Sequence, residues 1–217
     1  MIRKISNSLF ALISASEGSN CYLLLGKKQA ALIDPGTASN REELSVLLGK
    51  AGVVREKICL ILHTHCHADH FGADFLFPKA DVAMQKSDAL VVNNKDIGVT
   101  CSHFFLGIQF PKVSVLLSGS EKIDLGGVKL KVIETPGHTP GGVCFFEEKE
   151  GWLFSGDTIF SGGVGRTDLP GGDSEQLRES LFGLQKLPVK LLLPGHGEIV
   201  EGETGNRRNF EAALESV

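Results

Sequence analysis

The segment that most restricts how this chain can fold is Ile58-Cys-Leu-Ile-Leu62, an apolar run that ends in His63-Thr-His-Cys-His-Ala-Asp-His70. A continuous run of this kind suits a strand covered on both faces, and here it delivers four imidazoles and a carboxylate together. His65 and His67 are two residues apart, so an extended backbone turns both to one side, where they can share an ion. Asp69 and His70 follow where the strand gives way to a helix expected near Phe71-Gly72, and their side chains can aim at a second position beside the first. Imidazole and carboxylate are the donors that Zn²⁺ takes, and imidazole also suits iron.

Any one of these histidines, taken singly, reads as a hydrogen-bonded loop residue; the joint spacing is what points to metal. Three further turns offer matching donors: Thr135-Pro-Gly-His138-Thr-Pro-Gly-Gly142, Phe154-Ser-Gly-Asp157-Thr158 and Pro194-Gly-His196-Gly197. Each follows an apolar strand candidate, and the glycines let backbone pass close to a bound ion. Gathered in an interior without metal, these groups would face a heavy desolvation cost.

In this order the motifs resemble the metallo-β-lactamase superfamily, from Ile33-Asp34-Pro-Gly36 to Pro194-Gly-His-Gly197. The resemblance implies an α/β chain folded as a four-layer αββα sandwich. It implies two divalent ions, zinc in the first instance with iron or manganese as alternatives. One would be held by His65, His67 and His138, the other by Asp69, His70 and His196, with Asp157 bridging. Asp69 would also orient a metal-bound hydroxide as the catalytic residue, and Asp34 would orient a ligand histidine.

Within the superfamily, Thr135 to Pro140, Gly156-Asp157 and Gly163-Val-Gly-Arg166-Thr-Asp168 are most similar to the glyoxalase II group and its short bacterial and archaeal relatives. That implies hydrolysis of a thioester or ester, with a small-molecule acyl substrate. Two departures stand out: only 21 residues follow His196, so the C-terminal helical domain that holds glutathione is not expected, and Val164 replaces the group's usual cysteine. Persulfide dioxygenases, which hold a single iron through two histidines and an aspartate, are similar over Gly165 to Asp168. The Gly-His-Gly ending around His196 favours hydrolysis over that alternative. A lactone hydrolase is a further alternative, although Tyr22, the only tyrosine, lies on an early strand and gives no counterpart to the lactonase phenol. The best-known zinc β-lactamases carry a cysteine where Asp157 stands, and a non-catalytic metal binder is disfavoured by the complete donor set.

The remaining features set the frame. A chain of 217 residues, 42% of them hydrophobic, is sized for one core, so residues 1–217 are expected to form a single domain. Its net charge of −4, without a basic stripe, argues against nucleic acid. Five cysteines in no CxxC pair fit a reducing cytoplasm rather than a disulfide framework. The Leu9 to Ile13 run is short for a signal peptide and no run approaches a membrane span; the oligomeric state is left open.

Strands are expected at Phe10 to Ile13, Cys21 to Leu25, Ala30 to Ile33, Ile58 to Leu62, Lys129 to Glu134, Val143 to Phe146, Trp152 to Ser155 and Leu191 to Leu193. Ser39 and Glu42 predict a capping box before a helix with Leu44, Leu47, Leu48 and Ala51 on one face. Asp173 and Gln176 do the same for a helix from about Ser174 to Leu187, and a short helix is expected from about Thr204. Residues 91–112 show no clear period and read as a loop or short helices over the site, where Cys101 and His103 are candidates for a substrate pocket. Cys66 is read as packing, His63 as a strand-end residue with a local hydrogen bond, and Arg166 as an anchor of its glycine loop.

Overall fold

In a computed structural model, which describes residues 1–15 and 17–217, two sheets lie face to face between helices. The first sheet runs in sequence order: β1 (Ile2–Lys4), β2 (Leu9–Leu12), β3 (Cys21–Leu25), β4 (Ala30–Ile33), β5 (Ile58–Leu62), β6 (Asp81–Gln85) and β7 (Val115–Leu117). Its first four strands pair antiparallel and the last four parallel. The second contains β8 (Lys122–Asp124), β9 (Lys129–Glu134), β10 (Val143–Glu147), β11 (Trp152–Gly156), β14 (Leu191–Pro194) and β15 (Val200–Glu201). Between β11 and β14 come a small hairpin, β12 (Ile159–Phe160) and β13 (Gly163–Val164), and a helix; β11 and β14 pair in parallel.

Period-2 alternation decides which side chain faces which layer. Along β2, Leu9 and Ala11 enter the core between the sheets with Leu130, Val132, Phe145 and Phe154. Phe10 and Leu12 point the other way, into the apolar layer shared with Leu44, Leu47 and Leu48 of α1 (Arg41–Ala51) and Ala89 and Val92 of α3 (Lys86–Asn93). Along β10, Phe145 faces inward, while Cys144 and Phe146 meet Leu177, Leu181 and Leu184 of α4 (Ser174–Leu184) and Phe210 of α5 (Glu203–Glu215). Three apolar layers between four layers of secondary structure make the αββα sandwich.

Several expectations shift in detail. The helix after β4 starts at Arg41, behind a tight turn over Ala38–Asn40. There the Asn40 side chain accepts from the Thr37 N–H at 3.0 Å and the Ser39 hydroxyl bonds that of Thr37 at 2.6 Å, so the predicted Ser39–Glu42 capping box does not form. Asp173 caps α4 as predicted, accepting from the Gln176 N–H at 3.0 Å, though the helix ends at Leu184. The last helix is longer than expected, at 13 residues. β6, α3 and β7 were not anticipated, because they are short and lack a sustained period. The five cysteines are free, and among the described residues no helix is long and apolar enough to cross a membrane.

Candidate metal centre

The ends of β4, β5, β9, β11 and β14 carry the chain into turns that meet between the sheets. The Ile58–Leu62 strand ends and the chain continues extended through His67, whose φ of −72° and ψ of 144° precede a single helical turn, α2 (Ala68–Phe71). The helix therefore starts at Ala68, earlier than predicted, and it carries both Asp69 and His70.

All seven predicted donors converge. His65, His67 and His138 form one group; His65, His70 and Asp157 a second; Asp69, His70 and His196 a third, with the donor atoms of each group within 4.8 Å of one another. His65 Nε2 and His67 Nδ1 are 3.1 Å apart. Asp157 lies between the outer groups: Oδ1 is 3.3 Å from His70 Nε2, while Oδ2 is 3.6 Å from His138 Nε2 and 3.7 Å from His196 Nε2. His196 Nε2 is also 3.0 Å from Asp69 Oδ2.

The donor set fits a cation. His70 Nε2, His138 Nε2 and Asp157 Oδ1 are buried and make no hydrogen bond, a costly arrangement for polar atoms in an interior unless something charged completes it. Burial, and then the neighbouring imidazoles, hold His65 well below its ordinary value and lower His67 to about 3, so both present free lone pairs at neutral pH. The second position is balanced differently. Burial alone would lower His70, but Asp157, Asp34 and Asp69 more than offset it and raise the imidazole well above its ordinary value. A divalent ion held there would take the place of the proton as the counter-charge to the carboxylates.

Each donor is held from behind. Asp34, at a left-handed φ of 47°, brings Oδ2 to 3.0 Å from His70 Nδ1 while accepting from the Thr64 N–H at 3.0 Å and the Thr64 hydroxyl at 2.6 Å. This is the orienting arrangement expected for Asp34. His138 Nδ1 donates to the Arg166 carbonyl at 2.7 Å. Arg166 contributes through its backbone, while its guanidinium forms a two-pronged pair with Asp168 at 2.8 and 2.9 Å. Gly195 has to be glycine, since a Cβ would overlap Asp157 Oδ1 and sit 2.7 Å from His70 Cε1.

Three supports were not legible in the sequence. Asn20 donates through Nδ2 to the carbonyls of Pro194 and Gly197, both at 3.0 Å, and through its backbone to Gly195, fixing the turn that carries His196. Tyr22 donates to the same Pro194 carbonyl at 2.7 Å; its phenol is buried beneath the turn. Asp88, wholly buried on α3, accepts from the Cys66 N–H at 2.9 Å, the Thr139 hydroxyl at 2.7 Å and the Gly141 N–H at 2.6 Å. It ties the His65–His67 turn to the His138 turn. The one local signal for it was an acidic residue opening a helix, which says nothing about partners 22 and 51 residues away.

Of the other residues singled out, Cys66 packs in the core and His63 pairs with Asp74 at 2.8 Å. A cavity of about 340 Å³ opens over the cluster, lined in part by Cys101, Phe104 and Phe105, so the 91–112 region does lie over the site. His103 does not line it; its Nδ1 meets the Ile97 carbonyl at 3.0 Å.

The comparisons with known proteins agree with this geometry. Residues 16–196 match the family model described as "Metallo-beta-lactamase superfamily". A probable metallo-hydrolase of Methanocaldococcus jannaschii is 39% identical over 202 residues, covering 90% of this chain and 93% of its relative. The hydroxyacylglutathione hydrolase GloC of Haemophilus influenzae is 32% identical, covering 82% and 85%. Among solved structures, TTHA1623 in a di-iron-bound form superposes with a TM-score of 0.77 at 31% identity, over 92% of this chain and 98% of its own. The chain belongs to the metallo-β-lactamase superfamily, as a metallo-hydrolase homologue with a divalent-metal donor cluster.

Proposed function

We propose that this protein is a dinuclear metal-dependent thioester hydrolase of the glyoxalase II-like kind, a single-domain cytoplasmic enzyme acting on a small acyl substrate. The observation that carries the reading is Asp157, set between a three-histidine group and a group of His70, Asp69 and His196. His65, His67 and His138 would hold one ion, Asp69, His70 and His196 the other, and Asp157 both. When bound, such a pair lowers the pKa of a shared water towards ~7 and polarises a carbonyl oxygen. Zinc is the proposed metal; the di-iron form of TTHA1623 makes iron its competitor.

The chain's own groups set the geometry for that chemistry. Asp69 lines the cavity with Oδ2 fixed by His196, and orients the attacking water. Asp34 and the Arg166 carbonyl keep the His70 and His138 rings aimed inward. A thioester releases a thiol with a pKa near ~8.5 that leaves with little help from a general acid. Among the described residues that line the cavity the carboxylates are Asp69 and Asp157 alone, which suits such a leaving group. The similarity to GloC supports the thioester class, and five free cysteines fit a reducing compartment.

The test is the metal content of protein purified without added metal, with thioester hydrolysis and persulfide oxidation measured in parallel. The expected result is about two zinc ions per chain and thioester cleavage. One iron per chain with oxygen consumption would replace the reading with a persulfide dioxygenase, and cleavage of lactones but not thioesters would replace the substrate class.

A further inference from the structure

The cavity over the metal cluster has two apolar walls. One is the segment that turns at Cys101, a non-glycine residue at a left-handed φ of 54°, and presents Phe104 and Phe105 to the site. Backbone strain of this kind persists where the surroundings over-determine it: Ala68 donates to the Thr100 carbonyl at 2.9 Å, and Phe104 to the Cys101 carbonyl at 3.1 Å. The other wall is the β12–β13 hairpin with Phe160 and Val164, continued by Leu169. Asn209 of α5 clamps that hairpin, donating to the Phe160 carbonyl and accepting from the Gly162 N–H, both at 2.7 Å. The Phe160 ring meets the His196 ring edge-on, with centroids 6.0 Å apart.

Among the described residues that line the cavity, the polar side chains are those of the cluster, the Cys101 thiol and Arg166. Arg166 is the one lysine or arginine among them, and its guanidinium pairs with Asp168 through Nε and Nη2. A glutathione moiety brings two carboxylates and an ammonium group, for which the lining away from the cluster offers only Arg166, already paired with Asp168. Hydrocarbon, in contrast, meets hydrocarbon there and leaves water. The apolar surface also extends outward, with Phe104 66% exposed.

We propose, building on the thioester reading, that the preferred substrates are thioesters with an apolar acyl chain, seated between Phe104–Phe105 and Phe160–Val164–Leu169, and that hydroxyacyl-glutathione is a poor substrate. The cleaved bond is the acyl C–S bond; water supplies OH to the acyl carbon and a proton to the thiol.

The metal-loaded enzyme is assayed with the hexanoyl and acetyl thioesters of N-acetylcysteamine, which share a leaving group, and with lactoylglutathione. The expected kcat/KM for hexanoyl exceeds both others by about tenfold, the factor given by ~1.4 kcal/mol of apolar contact. Phe104→Ala lowers the hexanoyl-to-acetyl ratio and Phe104→Leu restores most of it; Phe104 is exposed, so its truncation threatens no core packing. A flat or inverted ratio, or lactoylglutathione as the best substrate, overturns the proposal. Binding of the ketone isosteres, with CH₂ in place of sulfur, is measured by calorimetry alongside. If no thioester is cleaved, the thioester reading falls. The apolar seat then stands or falls on whether the hexanoyl isostere binds about tenfold tighter than the acetyl one.

Discussion

Removing the Asp88 carboxylate is expected to loosen the centre without touching any donor. Asp88→Ala leaves three buried donors without acceptors: the N–H groups of Cys66 and Gly141 and the Thr139 hydroxyl. Each unpaired buried donor costs about 1–3 kcal/mol, so a gross loss of about 2–9 kcal/mol follows if two or three find no substitute. Burial raises the Asp88 pKa above its ordinary value, so the wild-type carboxylate itself opposes folding as pH rises above the unfolded value. That offset leaves the net loss below the gross figure; at about 2–4 °C per kcal/mol for a chain of this size, a net loss of about 2 kcal/mol lowers the melting temperature by roughly 4–8 °C. Asp88→Asn keeps the shape but offers one acceptor oxygen where the carboxylate offered two, and recovers only part. The assays are thermal melting of chelated protein and metal affinity by chelator competition. Because the turns tied by Asp88 carry His65, His67 and His138, the first metal position should weaken by at least about tenfold, within the range for an outer support of a metal site. Melting within a degree or two of wild type, with both ions retained, would refute the role given to this carboxylate.

Asp157→Ala should strip metal from both positions and His70→Ala mainly from the second; equal occupancy in Asp157→Ala and wild type counts against Asp157 as the shared donor. Gly195→Ala should abolish metal loading, because the added Cβ meets Asp157 Oδ1 and His70 Cε1; a fully loaded variant would show that the turn can yield. In chelated protein, burial alone would lower His63, but Asp74 and Asp34 overcome it and raise the imidazole to about 9. Its contribution to stability is therefore complete below the unfolded value near 6.5 and is lost as pH rises through about 9. His63→Gln should flatten that alkaline limb of the stability curve, and an unchanged limb would rule His63 out as its source.

The sequence by itself determined the parts whose physics is local. A donor string at the end of an apolar strand, and glycine turns around single histidines and aspartates, carry their meaning in a few adjacent residues. All seven side chains read that way meet in the structure. Asp173 likewise caps its helix through Gln176, three residues on. The Ser39–Glu42 capping box did not form: Thr37 and Asn40 organise the turn before α1 instead, because hydroxyl partners there are chosen by geometry. Only the tertiary structure decided what stands behind the donors. Asn20 under the His196 turn, Tyr22 beneath the same turn and Asp88 between two turns from different sheets are pairings across long stretches of chain. Such contacts exist only once two sheets have packed face to face, and no spacing along the chain encodes them.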